Sequence, residues 1–230
     1  MLIVPGMLNE LAQSLQVSTA SAGQLTSAFA LAVAFCAPLL AVATSRIDRR
    51  VLLVSALLGY ALLHGAAACT TSFAILLGLR FLAGLGPAIV TPQGAATAAM
   101  LVPAPARAGA VATVFLGFSI ASVVGLPLGA HIGAEHGWQV GMWIIAVLSL
   151  IAAGALAIVI PRGLKVQPLA WSAWLEVMRH RRILLLVLLT VLQSGGQFVL
   201  FSYMAPVLRD NFQSTPAMIS MLFGWFGLWG

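Results

Sequence analysis

Arg80 stands inside an apolar run over residues 73–101, in the stretch RFLAGLGPAIVTPQG. A guanidinium deep in a bilayer costs about 2.5 kcal/mol or more, so it must turn into a protein interior and find an acceptor there. The five carboxylates, Glu10, Asp48, Glu135, Glu176 and Asp210, fall at the ends of apolar runs or between them. None reaches its depth. The partner is then a backbone carbonyl, a bound molecule, or a residue in a part of the first span that the chain lacks. Two readings stay open: an arginine that pins two helices together, or a charge lining a polar pathway.

His64, Gln93, Gln193 and Gln197 are the other polar candidates within apolar runs. His64 reads as an interhelical hydrogen-bonding residue. Gln193 and Gln197 are four apart, on one face of a helix, with Ser194, Gly195 and Gly196 between them. Such a face suits either a cavity wall or packing between helices.

Catalytic chemistry finds no foothold. The chain has no G-x-S-x-G elbow, no C-x-x-C, no H-E-x-x-H and no P-loop lysine. Its two cysteines, Cys36 and Cys69, imply no disulfide framework. No enzyme activity, metal or cofactor is expected.

The elements that must position these residues follow from composition. Of 230 residues, 61% are hydrophobic and 7% charged, and the mean hydropathy is +1.07. A soluble domain carries about 25% charged residues. The long apolar runs instead indicate an all-α integral membrane protein, with the lipid bilayer as its solvent. Residues 1–15 are too short to span, and read as the outer half of a first span whose beginning is missing. Further spans are expected over 21–43, 51–68, 73–101, 108–133, 138–160 and 183–208. An eighth opens at Pro216 and is abandoned at Gly230. Trp171 and Trp174 place part of the polar stretch 161–182 at the membrane interface.

The net charge of +6 is a topology signal, not a nucleic-acid one. Arg46, Arg49, Arg50, Arg107, Arg162, Lys165, Arg179, Arg181 and Arg182 follow the even-numbered spans, whereas Arg209 alone follows an odd one. Positive loops stay in the cytoplasm, so the even exits face inward.

Residues 117–133, GFSIASVVGLPLGAHIG, place Gly117, Ala121, Gly125, Gly129 and Gly133 four apart, with Pro127 among them. This smooth stripe lets another helix approach closely in lipid, and serves either simple packing or a rocking seam.

Four stretches together resemble the major facilitator superfamily, in its branch of drug/proton antiporters and sugar-efflux (arabinose-efflux-like) permeases. AVATSRIDRRVLL is similar to the loop signature between the second and third helices, with Arg46, Arg49, Arg50 and Leu53 in register. RFLAGLGPA resembles the fourth-helix pattern and places Arg80, Gly84, Gly86 and Ala88. GLPLGAHIG is similar to the fifth-helix antiporter motif, and GQFVLFSYMAPVL to the seventh helix. The resemblance departs in the loop, where Ser45 stands at the signature's aspartate and Asp48 at its second glycine.

The resemblance implies a twelve-helix carrier of two halves that rock about a central cavity. Residues 1–160 would be the N-terminal half, 161–182 the cytoplasmic inter-half loop, and 183–230 the start of the second half. Arg46, Asp48, Arg49 and Arg50 would form a cytoplasmic gating loop. Gly117, Gly125, Pro127 and Gly129 would pack against the other half. The expected function is secondary transport, exporting a sugar or drug-like small molecule with proton coupling, by a monomer in a bacterial inner membrane. The competing expectation is a non-transporting fragment, remnant or membrane interaction protein.

Overall fold

The computed structural model describes residues 4, 7–165, 178–215, 217–219, 221, 222 and 225. Helices dominate, and no strand occurs among these residues. The order is α1 (Leu8–Ser14), α2 (Thr19–Ala43), α3 (Arg49–Ala68), α4 (Phe73–Ala83), α5 (Leu85–Met100), a 3-10 turn (Ala104–Ala106), α6 (Arg107–His136), α7 (Trp138–Val159) and α8 (Arg181–Phe212). Five stretches are long and apolar enough to cross a membrane: Thr19–Ala43, Arg49–Ala68, Phe73–Met100, Ala104–Gly125 and Trp138–Val159. Trp171, Trp174 and Glu176 lie outside the described residues, as does most of the expected eighth span.

Helix starts follow local chemistry. Ser18 caps α2, its Oγ accepting from the Ser21 N–H at 3.0 Å, and Asp48 caps α3. The expected fourth span divides at Gly84 into α4 and α5. Two local facts cause this. Pro87 has no N–H to give the Ala83 carbonyl, and the Gly84 N–H is shared between Arg80 O at 3.2 Å and Phe81 O at 3.1 Å. A side chain at Gly84 would meet the Phe29 carbonyl at 2.6 Å and Ala32 Cβ at 2.7 Å. The missing Cβ is what lets α2 and α4 touch.

The most extensive helix contact is α3 against α7; α2 lies on α4 and α5, and α6 joins α5 to α7. Val4, Met7, Leu11, Leu25, Ala67, Ala68, Leu76, Trp138 and Met142 form one buried cluster. These come from the ends of α1, α2, α3, α4 and α7 farthest from the arginine-rich loops. The Trp138 Nε1–H donates to Ser14 Oγ at 3.1 Å and ties α7 to α1 there.

α8 is seated differently. It meets α1 and α2, with Ala205 4% exposed near the arginine-poor end. Residues 181–193, toward the other end, are exposed throughout.

Candidate functional site

Arg80 is 1% exposed and His64 is 1% exposed, so both are fully enclosed between α3 and α4. Arg80 Nη1 lies 3.3 Å from His64 Nε2. Arginine offers no acceptor, so Nε2 must accept and the ring proton sits on Nδ1. That assignment is self-consistent: Nδ1 lies 2.9 Å from the Tyr60 carbonyl, one turn back on α3, and donates to it. Protonating His64 would set two donors face to face and break the bond.

Two aromatic rings complete the enclosure. The Arg80 guanidinium carbon lies 4.6 Å from the centroid of Phe29 on α2, a cation–π distance. The Tyr60 ring packs on His64 with centroids 4.1 Å apart and a tilt of 47°. Gly86 makes room for Tyr60, since a Cβ there would meet Tyr60 Cδ2 at 2.6 Å. A cavity of about 160 Å³, lined by Leu57, Tyr60, Gly86, Pro87, Val90 and Thr91, opens beside Tyr60.

The site is not saturated. Arg80 Nε and Nη2 have no hydrogen-bond partner among the described residues, and neither has buried Thr26 Oγ1, one turn before Phe29 on α2. An unpaired buried donor costs roughly 1–3 kcal/mol, and more when charged. The guanidinium therefore holds unused capacity for an acceptor.

The other candidates lie elsewhere. Gln93 is buried on α5, and its carbonyl accepts from Thr97 Oγ1 at 2.6 Å. Gln193 and Gln197 are exposed on α8. No hydrogen bond joins these three to Arg80 among the described residues. Arg80 and His64 alone of the five form a pair.

The basic loop builds a second polar cluster at the arginine-rich end. Asp48 Oδ1 accepts from the N–H of Arg50 at 3.0 Å and of Val51 at 3.2 Å, while Oδ2 accepts from Gly163 N–H at 2.6 Å. The Arg49 N–H donates to the Leu164 carbonyl at 3.0 Å. These bonds stitch the start of α3 to the chain leaving α7. The N–H of Val51 foremost, with those of Gly163, Arg50 and Leu164, holds the Asp48 carboxyl below its ordinary 3.8. Arg46 is exposed, Arg50 half-buried, and Arg49 only 3% exposed.

The glycine stripe runs unbroken through Pro127 on α6. A Cβ at Gly117 or Gly125 would meet nothing within 4 Å, whereas one at Gly133 would strike Met7 Cγ at 2.6 Å. Gly129 is buried. An apolar cleft of about 470 Å³ lies along the open part, with Gly117, Ala121 and Gly125 facing Ile144, Ile145 and Leu148 of α7.

Sequence reasoning missed Phe29, Tyr60 and Gly163. Aromatic residues within apolar runs carry no distinguishing signal. Gly163 does carry one in hindsight: it follows Pro161-Arg162 and takes φ of 81°, as glycine in a turn can.

The comparisons with known proteins agree with this architecture. The chain is 34% identical to a chloramphenicol resistance protein of Streptomyces lividans over 229 residues, covering 98% of this chain and 58% of that protein. It is 30% identical to the inner membrane transport protein YdhP of Escherichia coli over 217 residues, covering 94% of this chain and 56% of YdhP. The chain thus spans little more than half the length of these relatives. The crystal structure of a bacterial homolog of the human lysosomal transporter Spinster superposes with a TM-score of 0.72 at 18% identity, over 98% of this chain and 57% of that one. The apolar helices and bacterial relatives make this a multi-pass inner-membrane protein. The Major Facilitator Superfamily profile matches residues 1–230, and the chain belongs to that superfamily.

Proposed function

We propose that the chain forms the first half, and the beginning of the second, of a secondary carrier that exports a small molecule by alternating access coupled to protons. Residues 1–160 form the first half, 161–182 the inter-half loop, and 183–230 the start of the second. The arginine-rich end faces the cytoplasm. The substrate is sugar- or drug-like, and the carrier works as a monomer.

The observation that carries this reading is the enclosed guanidinium of Arg80, held by a neutral histidine with two donor positions unused among the described residues. A purely structural arginine would be expected to fill its donors, because each unfilled one destabilises the fold. Intramembrane charges left partly unsatisfied mark substrate or proton routes. Arg80 and His64 lie on the transport pathway, and Gln93, Gln193 and Gln197 line it at other stages of the cycle. The Asp48–Gly163 stitch is the gating contact of the basic loop. The stripe at Gly117, Gly125, Pro127 and Gly129 receives a helix of the other half. Resemblance to a chloramphenicol resistance protein supports the export direction.

The test uses inside-out vesicles holding the complete product of this gene. An imposed pH gradient should drive accumulation of at least one compound from a panel of sugars and amphipathic drugs, and an uncoupler should abolish it. Flux that ignores both gradient and uncoupler would reject proton coupling. No flux of any compound would reject the carrier assignment.

A further inference from the structure

Resting on the transport reading, we infer that the arginine-poor end carries a latch, in which Tyr203 of α8 seats as a knob in a notch at Gly23 of α2. An ion pair between Arg209 and Glu10 fixes the same two bodies beside it.

Four observations converge. Gly23 is buried, and a Cβ built on it would lie 2.5 Å from the Tyr203 hydroxyl and 3.1 Å from Tyr203 Cζ. The tyrosine therefore occupies space that any other residue at position 23 would fill. Arg209 Nη1 lies 3.5 Å from Glu10 Oε1, two turns further along α8, and joins it to α1. A cavity of about 220 Å³ sits under this junction, lined by Asn9, Gln13, Thr19, Arg209 and Asp210 among others. Finally, α8 meets α1 and α2 among the described elements, and Ala205, two residues beyond Tyr203, is buried there.

An exposed ion pair by itself is weak. The tyrosine is different: a rigid aromatic in a side-chain-free notch fits in one relative position and is lost when α8 tilts away. Knob and ion pair together define a closed state of this end. Packed interfaces of this kind switch between discrete arrangements rather than deforming smoothly. Tyr203 and Gly23 are thus positioning residues for alternating access.

The experiment reads closure directly, without flux. In the complete gene product carrying Cys36→Ser and Cys69→Ser, Asn9→Cys is labelled with a membrane-impermeant maleimide added from outside. Asn9 is 8% exposed in the latched arrangement. Gly23→Leu should raise its labelling rate about tenfold by shifting the population of open states. Tyr203→Ala alone should raise it several-fold, and the double variant Gly23→Leu/Tyr203→Ala should return toward the parent, because the knob has changed sides. Unchanged labelling in Gly23→Leu, or a double variant that labels as fast as the product of the two single effects, would overturn the latch. Should Gly23→Leu fail to reach the membrane, Glu10→Arg serves instead: it should speed labelling, Glu10→Arg/Arg209→Glu should reverse this, and no reversal would overturn the latch. Flux in the parent is measured alongside. A parent that labels as expected yet moves no substrate refutes the transport reading and leaves the latch standing.

Discussion

Arg80 and His64, sixteen residues apart on adjacent helices, meet through a single hydrogen bond of 3.3 Å in a fully enclosed setting. The histidine acts there as acceptor, fixed by a carbonyl of its own helix. His64 is thus an acceptor that the sequence did not name for Arg80, beside the carbonyl, bound molecule or first-span residue expected from it. Each side chain solves the other's problem, since arginine needs an acceptor and buried imidazole needs its free lone pair occupied.

His64→Leu should therefore remove the one side-chain acceptor that Arg80 has among the described residues and cost about 2 kcal/mol or more. His64→Gln, which keeps an acceptor, should cost less than half as much. Thermal unfolding in detergent checks this, with a drop of roughly 2–4 °C expected per kcal/mol.

Glycines separate by what surrounds them. Gly84→Ala drives a methyl into the Phe29 carbonyl and Ala32 Cβ, atoms that cannot swing away, and should destabilise by about 1–3 kcal/mol. Gly59→Ala, in the interior of α3 with nothing within 4 Å, should stabilise by up to about 1 kcal/mol. Unfolding midpoints of the two variants should move in opposite directions.

The legibility of the chain followed the same division. Five of the expected apolar spans, and the buried setting of Arg80 within one of them, were legible because hydropathy and isolated charge are one-dimensional signals. The break at Gly84 had a local signal in Pro87, which withholds an N–H from the Ala83 carbonyl, whereas the close approach of Phe29 and Ala32 on another helix had none. His64 stood out as a polar candidate, yet its partner did not, because pairing depends on how α3 and α4 are rotated. The capping role of Asp48 is local, but its stitch to Gly163 was unreadable, since that partner lies 115 residues away. Gln193 and Gln197 suited a cavity wall or helix packing equally by spacing, and both are exposed on α8.

Asp48 gives a pH dependence with a definite sign. Its folded pKa lies below 3.8 because backbone N–H groups favour the carboxylate. The stabilisation it supplies is thus complete above that value and fades as pH falls through the lower folded value. Hydrogen exchange at the Gly163 amide should show protection, measured against Asp48→Ala at the same pH, that is steady at neutral pH and disappears in strong acid. Protection that instead fades as pH rises from 5 to 8 would contradict the assignment.

The open stretch of the stripe predicts a split between folding and function. A Cβ at Gly125 meets nothing within 4 Å and the position lines an apolar cleft of about 470 Å³, so Gly125→Leu should change unfolding by less than about 1 kcal/mol. Gradient-driven flux should be lost, because the surface that the other half must approach is no longer smooth. Parallel unfolding and flux measurements decide it.

On the proposed function, the enclosed arginine serves movement of substrate more than cohesion of the bundle. Initial flux, normalised to protein in the membrane, is compared for the parent and Arg80→Ala in the same vesicle preparation. A loss of at least a hundredfold is expected, about 2.7 kcal/mol in the rate-limiting barrier, with membrane abundance within twofold of the parent. Flux within twofold of the parent at equal abundance would contradict it.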